Sequence, residues 1–428
     1  MPLEITLRVF FVIIHVHFVY AAISVDLCSG TLMTRRMRTF TWSILSVILL
    51  VSCEIVDDDM DKHVDKKSYV SLEEVAKVLA HAAVGNEHIK EVFDAVSSSC
   101  DNGYDEEYTI ADMFACPGAG VGDEHAVKSS SCYTYPLCRL IEDYVYSANL
   151  TKSPQSIADP DKWLEAIRSS DMQIYWPFSE NWDGTTMPII TFDPEDGSEA
   201  NIGYRLVTDD NGFRHIEEVV VDEKMAAEMP VWVMNRNSDA GYTTLEMLRK
   251  EDPEWGQGGG SITVTPKSVA KDSRMLIMKD FTAMRNFDSW LAGASEHFVR
   301  ISYLKDFTAS TEAEMLIYNP LITDFMIVVR RSQVGETLPY NVVLLTDWSK
   351  DMESCAFMIT EDDGGTRTEW NCKAKVFIGG KSYGVELTLP FNSRDDIVWR
   401  GMLTMSMLEE YSGKQCRYGD VAITFEII

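Results

Sequence analysis

The chain reads as an α+β, multidomain protein: an N-terminal helical segment, a small central β domain and a C-terminal antiparallel β-sandwich. Two observations predict this. Apolar residues recur at helical spacing between positions 71 and 170, then switch to alternate positions further along. A glycine-rich run, Gly256-Gln-Gly-Gly-Gly-Ser261, separates two stretches of β texture and reads as a linker. The expected parts are a helical, loop-rich domain over 71–170, a small β domain over 171–255, the linker over 256–261 and a sandwich over 262–428.

Ser71-Leu72-Glu73-Glu74 is a capping box, and Leu72, Val75, Ala76, Leu79 and Ala83 follow at helical spacing. Ile89, Val92, Phe93 and Val96 form a second stripe, so a helical hairpin is expected, its stripes facing a core. Residues 100–131 are rich in Gly, Ser, Asp and Cys and read as loop. A further helix is expected from Leu137 to about Leu150, and Asp159-Pro160 caps a short one that turns Trp163, Leu164 and Ile167 inward. From Met172 the texture is β. Asp209-Asp210-Asn211-Gly212 between two strands is the clearest hairpin signal. In the last part, Tyr383, Val385, Leu387 and Leu389 alternate with polar residues, as do Val421, Ile423, Phe425 and Ile427, which argues for antiparallel sheets with one buried face.

The formal net charge of −29 repels nucleic acid and anionic head groups, so no nucleic-acid partner is expected. Nine cysteines occur without C-x-x-C or zinc-like pairing with histidine. Cys355 and Cys372 fall on neighbouring strands and are candidates for a cross-strand disulfide; buried free thiols are the alternative.

Arg35, Arg36 and Arg38 precede an uncharged run from Thr39 to Ser52, the layout of an export leader. The run is too short to span a bilayer as a helix. Its ending, Leu50-Val51-Ser52-Cys53, resembles the lipobox of bacterial lipoproteins, which implies lipidation at Cys53 and a membrane anchor through that lipid. Residues 1–53 are then a leader and 54–70 an acidic tether. An earlier apolar run, Val9–Val25, leaves two readings: residues 1–32 are an over-extended start, or the chain begins with a membrane hairpin. His15 and His17 would be costly in lipid, which favours the first.

Asp57, Asp58, Asp59 and Asp61 behind Cys53 resemble the signal that sends lipoproteins of some Bacteroidetes to the outer face of the outer membrane. Met187-Pro-Ile-Ile-Thr-Phe192, Ala226-Ala-Glu-Met-Pro-Val-Trp-Val-Met-Asn235, and Phe287-Asp-Ser-Trp290 with Gly293-Ala-Ser-Glu296 resemble an uncharacterised exported lipoprotein group of Bacteroidetes. That resemblance implies a location, an outer-membrane lipoprotein at the cell surface or otherwise on the periplasmic face, and no activity.

The sequence contains no H-E-x-x-H, phosphate-binding loop or dinucleotide fingerprint. His81 and His88, seven apart, are better read as solvated or core-edge residues than as ligands. The most chemical feature is a pair of acidic loops, with Asp362 and Asp363 in one and Asp395 and Asp396 in the other. In an up-and-down strand order these loops meet at one end and Asp347 lies at the other. Several carboxylates beside glycine turns suit calcium, a hard cation taking six to eight oxygens, although Asp and Gly also simply make turns. The expected function is a non-enzymatic binding or structural module that presents the sandwich to a protein or glycan partner, with calcium as its one candidate cofactor. The rival is an exported hydrolase of glycans or peptides working through carboxylates the sequence does not single out.

Overall fold

The computed structural model describes residues 70–115, 133–150, 157–209, 211–212, 214–237, 242–256 and 274–428. The leader, Cys53, the acidic tether up to residue 69, Cys116, Cys132 and linker residues 257–261 lie outside the described residues. Ser68–Ile428 form one compact unit.

The capping box is present as expected. Glu74 N donates to Ser71 Oγ at 3.2 Å and Ser71 N donates to the Glu74 carboxylate at 2.9 Å, opening α1 (Leu72–His81). The helix stops earlier than its apolar stripe implies. Ala83 is exposed, in the left-handed region at φ 56°, and turns the chain into α2 (Asn86–Asp101). Then come β1 (Glu107–Thr109), α3 (Ile110–Ala115), α4 (Leu137–Leu150) and α5 (Pro160–Arg168), the last capped by Asp159.

Five further strands follow: β2 (Met172–Tyr175), β3 (Ile189–Phe192), β4 (Ala200–Thr208), β5 (Arg214–Asp222) and, after α6 (Glu223–Glu228), β6 (Val231–Arg236). With β1 they make a six-stranded sheet ordered β1-β2-β6-β3-β4-β5, in which only the β3–β6 pairing is parallel. The helices and these strands share one core: Leu72, Val75, Leu79, Ile89 and Trp163 pack with Ile174, Ile190, Trp232 and Met234. The helical and central β segments thus close on each other.

The other face of this sheet is also buried. Along β6, Trp232 and Met234 face the helices while Val231 and Val233 face Trp290 and Leu291. Four consecutive apolar residues thus serve two cores, as a strand covered on both sides requires.

The sandwich follows α7 (Leu245–Glu251). One sheet, ordered β10-β7-β16-β15, contains β7 (Arg274–Ala283), β10 (Leu338–Trp348), β15 (Gln415–Tyr418) and β16 (Val421–Ile427). The other, ordered β14-β11-β8-β9, contains β8 (Ser295–Tyr303), β9 (Leu321–Val329), β11 (Ser354–Glu361) and β14 (Asp396–Thr404). Short helices α8 (Glu312–Met315) and α9 (Met405–Glu410) sit in connections, and β12 (Arg367–Ile378) with β13 (Lys381–Asn392) forms a long hairpin. All strand pairings here are antiparallel, and Phe281, Val342, Ile423, Val299, Ile327 and Phe357 meet in a single core. The order is not the expected up-and-down one, because β11 and β14 pair across the β12–β13 excursion. Cys355 and Cys372 are free thiols. Cys372 lies opposite Leu387 on the hairpin and Cys355 opposite Leu403 on β14, so the two residues are not ladder partners. Among the described residues no helix is long and apolar enough to cross a membrane.

The segment between β7 and β8 ties the two halves together. Trp290 Nε1 donates to Glu199 O at 3.0 Å, Asn235 Nδ2 donates to Ala292 O at 2.6 Å, and Ala294 N donates to the buried Asp105 carboxylate at 2.9 Å. Arg331 pins the segment from beneath, donating to Asp288 O at 2.7 Å and to Gly293 O at 3.1 Å.

Candidate functional site

β11 and β14 run antiparallel with Glu361 opposite Asp396. The last residues of one strand and the first of the other therefore share an edge of the sandwich, and the two acidic loops meet there. Asp347 interacts with Tyr303 at the far end of β8, whereas Glu361 pairs with His297 near its start. The contact between the loops is close. A Cβ on Gly365, at φ 102°, would come within 2.8 Å of Ser393 Oγ and 3.0 Å of Arg394 N, so only glycine fits.

Alternation at the strand end divides the acids into two groups. Asp362 and Asp395 point to the outer face, where Asn392 Nδ2 donates to Asp362 at 3.1 Å and Asn392 N donates to Asp395 at 2.9 Å. Arg300 donates to Thr360 Oγ1 at 2.7 Å beside them. Burial and the Asp362 carboxylate raise Asp395 above the usual range, and Arg300 opposes them. Asp362 Oδ1 and Asp395 Oδ2 thus accept from protein donors, while the buried Asp395 Oδ1 has none.

Glu361 and Asp363 point the other way and meet Asp288, with one oxygen from each residue inside a sphere where all lie within 4.8 Å of one another. Asp396 adds its charge from across the pairing. Glu361 is only 1% exposed, Asp288 is half-buried and Asp363 is exposed, so the group grades from the core outward. Burial first, then the neighbouring Asp288 carboxylate, pushes Glu361 far above the ordinary carboxylate range; Asp288 and Asp363 are raised by burial as well. Glu361 Oε1 has no hydrogen-bond partner. A buried carboxylate oxygen in that position costs free energy unless something positive meets it.

Of the four aspartates expected from sequence, then, only Asp363 is a direct member of this group, Asp396 contributes charge, and Asp362 with Asp395 belong to a separate hydrogen-bonded pair. Glu361 and Asp288 are the additions. Three carboxylates and a solvent-facing side match the oxygen chemistry of a hard divalent cation. His81 and His88 do not converge: the His81 ring meets Lys77 O and Tyr144, and His88 caps Gly85 N beside Tyr135.

The chain matches no protein-family model, no curated protein and no solved structure. The chemistry of the site therefore rests on its own side chains.

Proposed function

We propose that the chain is a non-catalytic binding module of the cell envelope, tethered through Cys53, whose sandwich edge holds a calcium ion and is stiffened by it for contact with a protein or glycan partner. The observation that carries the reading is Glu361 Oε1, buried and unpartnered beside Asp288 and Asp363. A cation there would satisfy the orphaned oxygen, relieve the repulsion among the three carboxylates and hold the 361–365 loop to the 287–294 segment. The export reading is supported by the leader and the lipobox-like Leu50-Val51-Ser52-Cys53.

A hydrolase needs a protonated acid facing an open cleft. Glu361 holds its proton but is shut away from a substrate. Asp183, which does line a cleft, is held ionised by three donors. Both facts favour binding.

Thermal unfolding with and without calcium tests the cation. Wild type should gain several degrees at millimolar calcium, and an unchanged melting curve would remove the site. Fractionation of cells expressing Cys53→Ala tests the tether: the protein should leave the membrane fraction, and retention there would reject lipidation.

A further inference from the structure

A second site lies on the other half of the molecule, and none of the sandwich acids lines it. We propose that the cleft between Trp182 and Met229 binds a compact organic cation, an alkylated ammonium group. The cleft holds about 300 Å³, enough for a small ligand. Trp176 lies at its base, Phe178, Trp182 and Met229 line it, and Asp183 and Glu228 bring negative charge. Among the described residues no Lys, Arg or His lines it.

The aromatic frame is built before any ligand arrives. Trp176 and Trp182 meet at 64° with centroids 5.5 Å apart, and Phe93 packs against both, at 5.9 and 5.2 Å. Trp182 Nε1 donates to Thr186 O at 3.0 Å, which fixes the plane of its ring. Phe178 occupies the left-handed region at φ 59° and ψ 31°, an uncommon conformation for a bulky residue. The following residue holds it there, since Ser179 N and Oγ both donate to the buried Glu106 carboxylate at 3.0 and 3.1 Å.

Asp183 is arranged to stay charged. Thr185 N, Thr186 N and Thr186 Oγ1 each donate to Asp183 at 2.7 Å and keep it ionised. Both of its oxygens are committed, so it offers charge rather than a free hydrogen-bonding edge.

These features select among ligands. An anion would face two carboxylates with no counter-charge. A methylated ammonium suits the cleft, because its positive methyl surface meets the Trp182 ring beside the Asp183 and Glu228 charges. The surrounding acidic chain concentrates cations nearby.

The test titrates the whole protein with choline and with 3,3-dimethylbutan-1-ol, the uncharged analogue of the same shape, by calorimetry and tryptophan fluorescence. Choline should saturate with a dissociation constant on the order of millimolar, and the alcohol should bind about tenfold more weakly or worse. Glu228→Gln, at an exposed helix position, should weaken choline severalfold without changing the melting curve. Trp182→Leu should abolish saturation while circular dichroism remains native. Equal binding of the alcohol would show a merely greasy cleft and overturn the proposal. So would the absence of choline saturation, or full choline affinity in folded Trp182→Leu.

Discussion

Replacing Glu361 by glutamine keeps the side-chain shape and removes the ionisation that the cluster has to manage. In the metal-free protein the folded state holds Glu361 protonated, while the unfolded chain releases the proton around pH 4.5. A carboxyl whose folded pKa is raised contributes its full stability below the unfolded value and loses it as pH rises. Above pH 4.5 the loss is about 1.4 kcal/mol per pH unit until the folded group itself ionises. At pH 7 the accumulated cost is roughly 3 kcal/mol, whatever the folded pKa is, provided it exceeds 7. Glu361→Gln should therefore be more stable than wild type by up to about 3 kcal/mol at pH 7 in chelator, with the difference vanishing near pH 4. Calcium should reverse the order. It takes the place of the proton, so its affinity for wild type rises about tenfold per pH unit, while the glutamine variant gains little. Urea unfolding at pH 5, 6, 7 and 8, in chelator and in calcium, reads all of this. An equal calcium response in the two proteins, or a wild-type stability no steeper with pH than the variant's, would rule out a protonated Glu361 whose proton calcium displaces.

Three further outcomes follow from the same structure. His297 is fully buried between Phe281 and Phe287 with both ring nitrogens unpartnered, and burial, then Arg285, pushes it down to about 3. Its stabilising contribution is thus present above pH 6.5 and is lost as pH falls towards 3, so His297→Phe should gain on wild type by about 1.4 kcal/mol per unit from pH 6 down to pH 4 in urea titrations. Arg331→Ala removes the buried guanidinium that holds Asp288 O, Gly293 O and Glu223, and should cost about 3 kcal/mol in urea and weaken calcium binding in calorimetry. Gly365→Ala forces a Cβ into the facing loop at a left-handed position and should cost roughly 1–3 kcal/mol by the same unfolding assay.

What the sequence reveals and what it hides divide along the range of the interactions. The Ser71–Glu74 capping box, the Asp159-Pro160 start and the alternation in β13 and β16 are local, each specified within a few residues, and each is read correctly. The end of α1 is missed because nothing before Ala83 announces that an alanine will turn left-handed. The apolar run of β6 announces a strand but not its two neighbours: the side chains of Val231 and Trp232 enter different cores, and only the packing of the helices on one side and Trp290 on the other says so. The meeting of the two acidic loops is expected from an up-and-down order, but it arises because β11 and β14 pair across the β12–β13 hairpin. Their division is not legible, since it depends on which face each acid takes beyond the last ladder pair. Asp288, within Phe287-Asp-Ser-Trp290, carries no signal of a ligand role. It sits 73 positions before Glu361 and arrives through Arg331 and the seam at Trp290.

A cation belongs between Asp288, Glu361 and Asp363. Crystals of the protein grown in calcium, with data collected for its anomalous signal, address it directly. The account predicts a peak bridging the three carboxylates, with metal–oxygen distances of about 2.3–2.6 Å. Three carboxyl groups hydrogen-bonded to one another or to water, with no peak at saturating calcium, would contradict it.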